Sequence, residues 1–230
     1  MCAVVHSIEG SLLPFKIFKR YSSINAHGFG MAILEDKENK NFIFEKGLRL
    51  CENIEALYEH YKVYAEGKEH VIHFRIKSAG TISDKFCHPF LLTDNIMESM
   101  YTEGKTTKSL LFQYGTVFDS SLMQTAAVNI KNFNNAIIDK IQGSVDSSVR
   151  EFFNLSYSLN YNAFSDTYLI ALSLGLENHT PDEVIEILHR INKSRSARFV
   201  YLHDVEFRRV GKFLEIVPSI FVTGTGTGCS

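Results

Sequence analysis

Apolar residues recur along this chain with two periods, and the switch between them orders it as strands, then helices, then strands. Residues 2–8, 29–34 and 41–44 read as strands, the last two closing a hairpin across the polar turn 36–41. Residues 53–64 set Ile54, Leu57, Tyr58, Tyr61 and Tyr64 at helical spacing behind Asn53, whose side chain can accept from the first helical N–H groups. A strand with alternating polar and apolar positions follows over 70–76, and short strand segments flank Gly115 within 109–118. Helices are expected over 121–142 and 145–159, although Asn132, Asn134 and Asn135 weaken the first. Ser165-Asp166-Thr167 opens another helix, with Ser165 or Asp166 as cap and an apolar run that stops at Gly175 or just beyond. Thr180-Pro181-Asp182-Glu183 starts the next, with Thr180 as cap, Pro181 at the first helical position and Glu183 completing a capping box. Strands over 197–203 and 212–217 close the order, with Gly211 in the turn before the second.

Residues 15–22 fit either a short helical turn or a mobile segment, and the Gly/Thr-rich stretch 221–230 reads as a flexible tail. No internal repeat or linker interrupts residues 2–220, which therefore form one domain of sheets covered by helices, an α+β fold.

Composition changes this picture little. With 230 residues, 45% hydrophobic and a formal net charge of −2, the chain has the make-up of an ordinary globular protein with a sizeable core. Tryptophan is absent while phenylalanine numbers 18, so the core is expected to rest on phenylalanine. There is no basic excess to attract nucleic acid, no run of about 18 apolar residues to cross a membrane and no basic-then-apolar leader. A cytoplasmic protein with neither nucleic acid nor membrane as partner is expected. Cys2, Cys51, Cys87 and Cys229 form no CxxC pair, so neither a disulfide framework nor a metal site is expected.

Candidate chemistry begins at Cys2, directly after the initiator. Once Met1 is removed, a thiol and a free α-amine share one residue. An amine titrating near pH ~7.7–8.0 can take the thiol's proton, which makes Cys2 both nucleophile and base. On these residues alone, Cys2 reads rather as a small apolar residue opening a buried strand. Arg75 ends a strand beside Ser78 and Gly80, where a planar guanidinium and turn N–H groups can hold a carboxylate; an isolated arginine there can also simply face solvent. His88, in Cys87-His88-Pro89-Phe90, suits a base or ligand, but a lone histidine before proline is more often a packing or hydrogen-bonding residue. Gly28 and Gly30 mark either a close backbone or ligand approach or ordinary turn positions.

Together these stretches resemble the class II glutamine amidotransferases, the glutaminase branch of the N-terminal nucleophile hydrolases. His73-Phe74-Arg75-Ile76-Lys77-Ser78-Ala79-Gly80, followed by Cys87-His88-Pro89-Phe90, is similar to the family's His-x-Arg-x-x-Thr/Ser-x-Gly and later His-Pro-Phe. Phe164-Ser165-Asp166-Thr167 is similar to its Ser-Asp-Thr, and Asn25–Gly30 to its Asp-Gly-x-Gly, with His27 in place of the acid. Lys46-Gly47-Leu48 looks like the small phage-type members. The resemblance covers most of the chain and implies a four-layer αββα sandwich, glutamine as substrate and no cofactor. It implies Cys2 as nucleophile, Gly115 as an oxyanion N–H donor, Arg75 and Ser78 on the substrate's α-carboxylate, and Asp166 on its α-ammonium. Ammonia would leave through a glutamyl-thioester, for water or for an acceptor on a separate synthase to complete the reaction. Tyr114 stands where the family's oxyanion asparagine belongs, and one such donor is worth ~10²–10³ in rate. Weakened turnover is therefore expected, with a catalytically impaired binding or structural domain as the alternative.

Overall fold

A computed structural model describes residues 2–48, 53–76, 82, 84–115, 117, 128, 132, 164–195 and 197–223. The N-terminal half runs β1 (Ala3–Ser7), α1 (Phe15–Ile24), β2 (Phe29–Asp36), β3 (Asn41–Leu48), α2 (Ile54–Ala65) and β4 (His70–Phe74). After it come β5 (Phe90–Leu91), α3 (Ile96–Ser99), β6 (Glu103–Thr106) and β7 (Leu110–Tyr114). The C-terminal part holds α4 (Asp166–Leu176), α5 (Pro181–Arg195), β8 (Arg198–His203), β9 (Glu206–Val210), β10 (Leu214–Val217) and β11 (Ile220–Val222).

The fold is α+β, built on two antiparallel sheets. One has seven strands in the order β10-β11-β1-β4-β2-β3-β6, the other four in the order β5-β7-β8-β9. The expected β2–β3 hairpin forms, with Ile33 opposite Ile43 and a turn held by the Asp36 carboxylate, which accepts from the Glu38 N–H at 2.8 Å. Local caps behave as their chemistry requires. Asn53 accepts from the Ala56 N–H at the start of α2, and Thr180 and Glu183 exchange bonds at the start of α5, the Thr180 N–H reaching Glu183 at 2.7 Å.

Strand alternation sorts the side chains into three clusters. Val5, Met31, Ile33, Ile72 and Phe74 pack under α1 and α2 against Phe18, Leu57 and Tyr61. Their strand neighbours Val4, Ala32 and Val71, joined by Phe42 and Phe44, point the other way, onto Leu110, Phe112 and Val200 of the four-stranded sheet. Leu111, Phe199 and Tyr201 then meet Leu169, Leu172, Leu188 and Ile191 of α4 and α5. The inner strands are thus buried on both faces, as the burial of every residue of β1, β4 and β7 shows, their histidines, Ser7 and Gln113 included. Burying each large apolar side chain contributes about 1.5–3 kcal/mol. Helix α4 is apolar on every side and buried from Asp166 to Leu174, as a helix without a polar stripe must be.

Several expectations change. Residues 15–22 belong to a full helix, because Phe18 docks among Phe29, Tyr58, Tyr61 and Phe74 with ring centroids 5.0–5.5 Å away. β6 and β9 carry mostly polar residues and show no apolar alternation; pairing with β3 and β8 makes them strands. β11 pairs with β1 and carries the sheet past residue 220, where the tail was expected to begin. The helices expected over 121–142 and 145–159 lie outside the described residues apart from Val128 and Asn132, both helical; so do the tail from 224, Met1 and the second strand segment of 109–118 apart from Val117, which is not in a strand.

Candidate active site

Register in the seven-stranded sheet brings Cys2 and Arg75 together. Because Ala3 lies opposite Phe74, the residue before β1 meets the residues just after β4. The Cys2 thiol donates to the Ile76 carbonyl at 3.2 Å and accepts from the Ile76 N–H at 3.4 Å, so one residue, through two successive peptide groups, holds the sulfur. Burial pushes the thiol above its usual value, while the Ile76 N–H and the Arg75 charge pull the other way. Arg75 is 4% exposed rather than solvent-facing, and its backbone is clamped to the second strand's approach: its N–H donates to Gly28 and its carbonyl accepts from the His27 N–H.

The opposite wall comes from β7 and α4. Asp166 is the first residue of α4, behind Ser165 as cap, where the helix N-terminus favours a negative charge. Its carboxylate accepts from the Val117 N–H at 2.6 Å, Gln113 Nε2 at 3.0 Å and the Thr167 N–H at 2.8 Å. Burial raises the carboxyl above its ordinary value, and those donors oppose the rise. Gly115 follows β7 with φ of 95°, a conformation that L side chains rarely adopt. Cys2, Arg75, Ile76, His88, Gln113, Gly115, Ser165, Asp166 and Thr167 line one cleft.

Tyr114 does not line that cleft. Alternation along β7 turns it into the inter-sheet cluster beside Phe112, with the Arg198 guanidinium 4.9 Å from its ring centre, and turns Gln113 toward Asp166. The residue at the position of the expected oxyanion asparagine is therefore not among those that line the cleft. Ser78 lies outside the described residues.

Behind the cleft is a buried polar cluster. His88 packs edge-on against His73 with ring centroids 3.9 Å apart, and His88 Nε2 bonds Thr167 Oγ1 at 2.9 Å. Both rings are held neutral by burial, His73 down to about 3 and His88 well below its ordinary value. Lys46, also buried, sets its ammonium over the Phe90 ring at 4.6 Å, and burial lowers it to about 7. Burial raises the Cys87 thiol, against the pull of Arg75 and Lys46. The glycines of the second strand are explained here: a Cβ on Gly28 would overlap the Cys87 sulfur, and one on Gly30 the His88 carbonyl oxygen.

Cys2, Arg75, Gly115 and Asp166, each singled out from the sequence, are thus brought together. Gln113 and Thr167 were missed. A signal for Gln113 was present, since it is the one polar residue in the run Leu110-Leu111-Phe112-Gln113-Tyr114. Among the described residues no three His, Cys, Asp or Glu side chains converge as a metal site, and no helix is long and apolar enough to cross a membrane. No protein-family model matches the chain, and no curated protein matches it in sequence.

Proposed function

We propose that this chain is a class II glutamine amidotransferase domain on a four-layer αββα sandwich, using Cys2 to release ammonia from the side-chain amide of glutamine. The observation that carries the reading is the convergence of Cys2, Arg75, Gly115 and Asp166, from distant stretches of the chain, on one cleft. Glutamine needs a cation for its α-carboxylate, an anion for its α-ammonium and a nucleophile at its amide carbon, and these residues supply each in turn. The clusters that cover both outer faces of the sheets with helices support the layer order.

In this mechanism the glutamine α-carboxylate lies at Arg75 and its ammonium at the Asp166 wall. The resting thiol is not ionised, since burial raises it, so attack requires a base. The Cys2 α-amine, freed by loss of Met1, takes the thiol proton as sulfur adds to the amide carbon and delivers it to the departing nitrogen. Ammonia leaves, and water cleaves the thioester to glutamate and restores the thiol. The Gly115 N–H is the oxyanion donor. With Tyr114 turned into the inter-sheet cluster, the described residues supply no second side-chain donor, and turnover is expected to fall short of a complete site by ~10²–10³. The ammonia acceptor is water or a separate synthase.

The buried Tyr114 also favours a second reading, a domain that binds glutamine or a partner without turning it over. Intact mass before and after incubation with a diazoketone analogue of glutamine separates the two. The glutaminase reading expects loss of Met1, one adduct abolished by Cys2→Ala, and slow ammonia release from glutamine. Glutamine binding without adduct or ammonia supports the second reading, and neither binding nor adduct overturns both.

A further inference from the structure

Asp166 carries the negative charge of the cleft, yet its carboxylate is already engaged. Oδ2 accepts from the Val117 N–H at 2.6 Å and from Gln113 Nε2 at 3.0 Å. Oδ1 accepts from the Thr167 N–H at 2.8 Å and, more weakly, from Thr167 Oγ1 at 3.4 Å. A carboxylate offers about four lone-pair directions, so an arriving cation meets the charge of Asp166 but no vacant acceptor on it.

The vacancy lies next door. Gln113, 1% exposed, uses its two amide hydrogens on Asp166 Oδ2 and on the Gly115 carbonyl, the latter at 3.0 Å. These bonds also settle which way the amide points, because the flipped amide would set Oε1 against two acceptors. Gln113 Oε1 is buried and accepts from no donor among the described residues, and Gln113 lines the same cleft as Cys2 and Arg75. A buried acceptor without a donor is destabilising until something supplies one.

We propose that Gln113 Oε1 is the acceptor that reads the α-amino group of the substrate, with Asp166 supplying charge from behind it. This rests on the glutamine reading above and sharpens it: the site selects α-amino acids that present a free N–H, and the selecting atom is oriented before the ligand arrives. Gln113 is then a specificity-determining residue with two tasks, Nε2 fixing Asp166 and Gly115, and Oε1 meeting the ligand.

The test uses the full-length Cys2→Ala chain, so that binding is read without turnover. Calorimetry compares L-glutamine, its 2-hydroxy analogue and its deaminated analogue, glutaramate. The hydroxyl donates a hydrogen bond but carries no charge, so it probes Oε1 apart from Asp166. Expected is about tenfold tighter binding of the hydroxy analogue than of glutaramate, and loss of that increment in Gln113→Met. A residue that only positioned Asp166 would leave the two ligands without an ammonium equal. Equal binding of these two while glutamine binds overturns the proposal and leaves the glutamine reading standing, as does an increment that persists in folded Gln113→Met. Failure of glutamine itself to bind overturns both. The comparison of ligands on Cys2→Ala needs no change at Gln113, so a misfolded Gln113→Met does not spoil it.

Discussion

His70 and His73 sit three residues apart on β4, both 0% exposed, on opposite faces of the sheet. His70 faces the helices, where Nδ1 meets the Lys68 carbonyl at 2.7 Å and Nε2 the Tyr61 hydroxyl at 2.8 Å; Tyr61 in turn accepts from the Leu13 N–H at 3.0 Å. Every polar atom of that chain has its partner. His73 faces the other sheet and the rear of the cleft, and neither ring nitrogen has a hydrogen-bond partner among the described residues. His88 Nδ1 and Gln113 Oε1, beside it and in the cleft wall, share that condition. One side of the strand is built to hold the fold together. The other keeps buried polar groups that lower stability, a departure from self-consistent packing of the kind that marks functional sites.

The contrast can be broken most sharply from the helix side. Phe18→Ala empties a ring site between β2, β4 and α2 and is expected to lower stability by about 3–5 kcal/mol. Urea unfolding measures the loss, while alkylation of Cys2 in the folded fraction should be unchanged. A change in labelling would show that the two regions are not independent.

Next in size is the pair of histidines itself. His70→Leu leaves the Tyr61 hydroxyl and the Lys68 carbonyl without their partner and is expected to lower stability by about 1–3 kcal/mol. His73→Leu removes nitrogens that bond nothing among the described residues, so its cost should stay within about 1 kcal/mol at neutral pH. Equal losses in the two variants would mean that the ring nitrogens of His73 are satisfied in solution.

The smallest effect is in pH dependence. Burial holds His73 at about 3, below the ordinary 6.5, so beneath pH 6.5 the unfolded chain binds a proton that the fold refuses. Stability therefore falls as pH drops from 6.5 toward about 3, by about 1.4 kcal/mol per unit for this group. His70, held at about 4, adds the same sign over a shorter span. At pH 5.5, His73→Leu should have gained about 1 kcal/mol on the parent relative to pH 7, read from the shift in urea midpoint. No relative gain would mean that His73 becomes protonated in the fold.

Part of the site was legible residue by residue, because Cys2 and Arg75 each carry a chemistry that their type and neighbours announce, whereas Gly115 and Asp166 were singled out only through resemblance. Their convergence was visible only through resemblance, since it depends on Ala3 lying opposite Phe74 and on α4 crossing the end of β7. The direction of Tyr114 was read less well. The sequence showed only that it stands in for an asparagine, whereas the pleat sends it into the inter-sheet cluster and gives the cleft Gln113 instead.

The amino-acid sequence alone determined the hairpin of β2 and β3, the Asn53 cap, the Thr180–Glu183 capping box and the all-apolar helix α4. Each depends on contacts within a few residues, or on a local period that no distant partner changes. Tertiary structure alone decided that the polar runs of β6 and β9 are strands, that Asp166 has its lone pairs filled, and that His70 is satisfied while His73 is not. Those outcomes follow from pairing register and from which sheet face meets which neighbour, and a side chain's hydrogen-bond partners come from wherever the chain folds back to meet it.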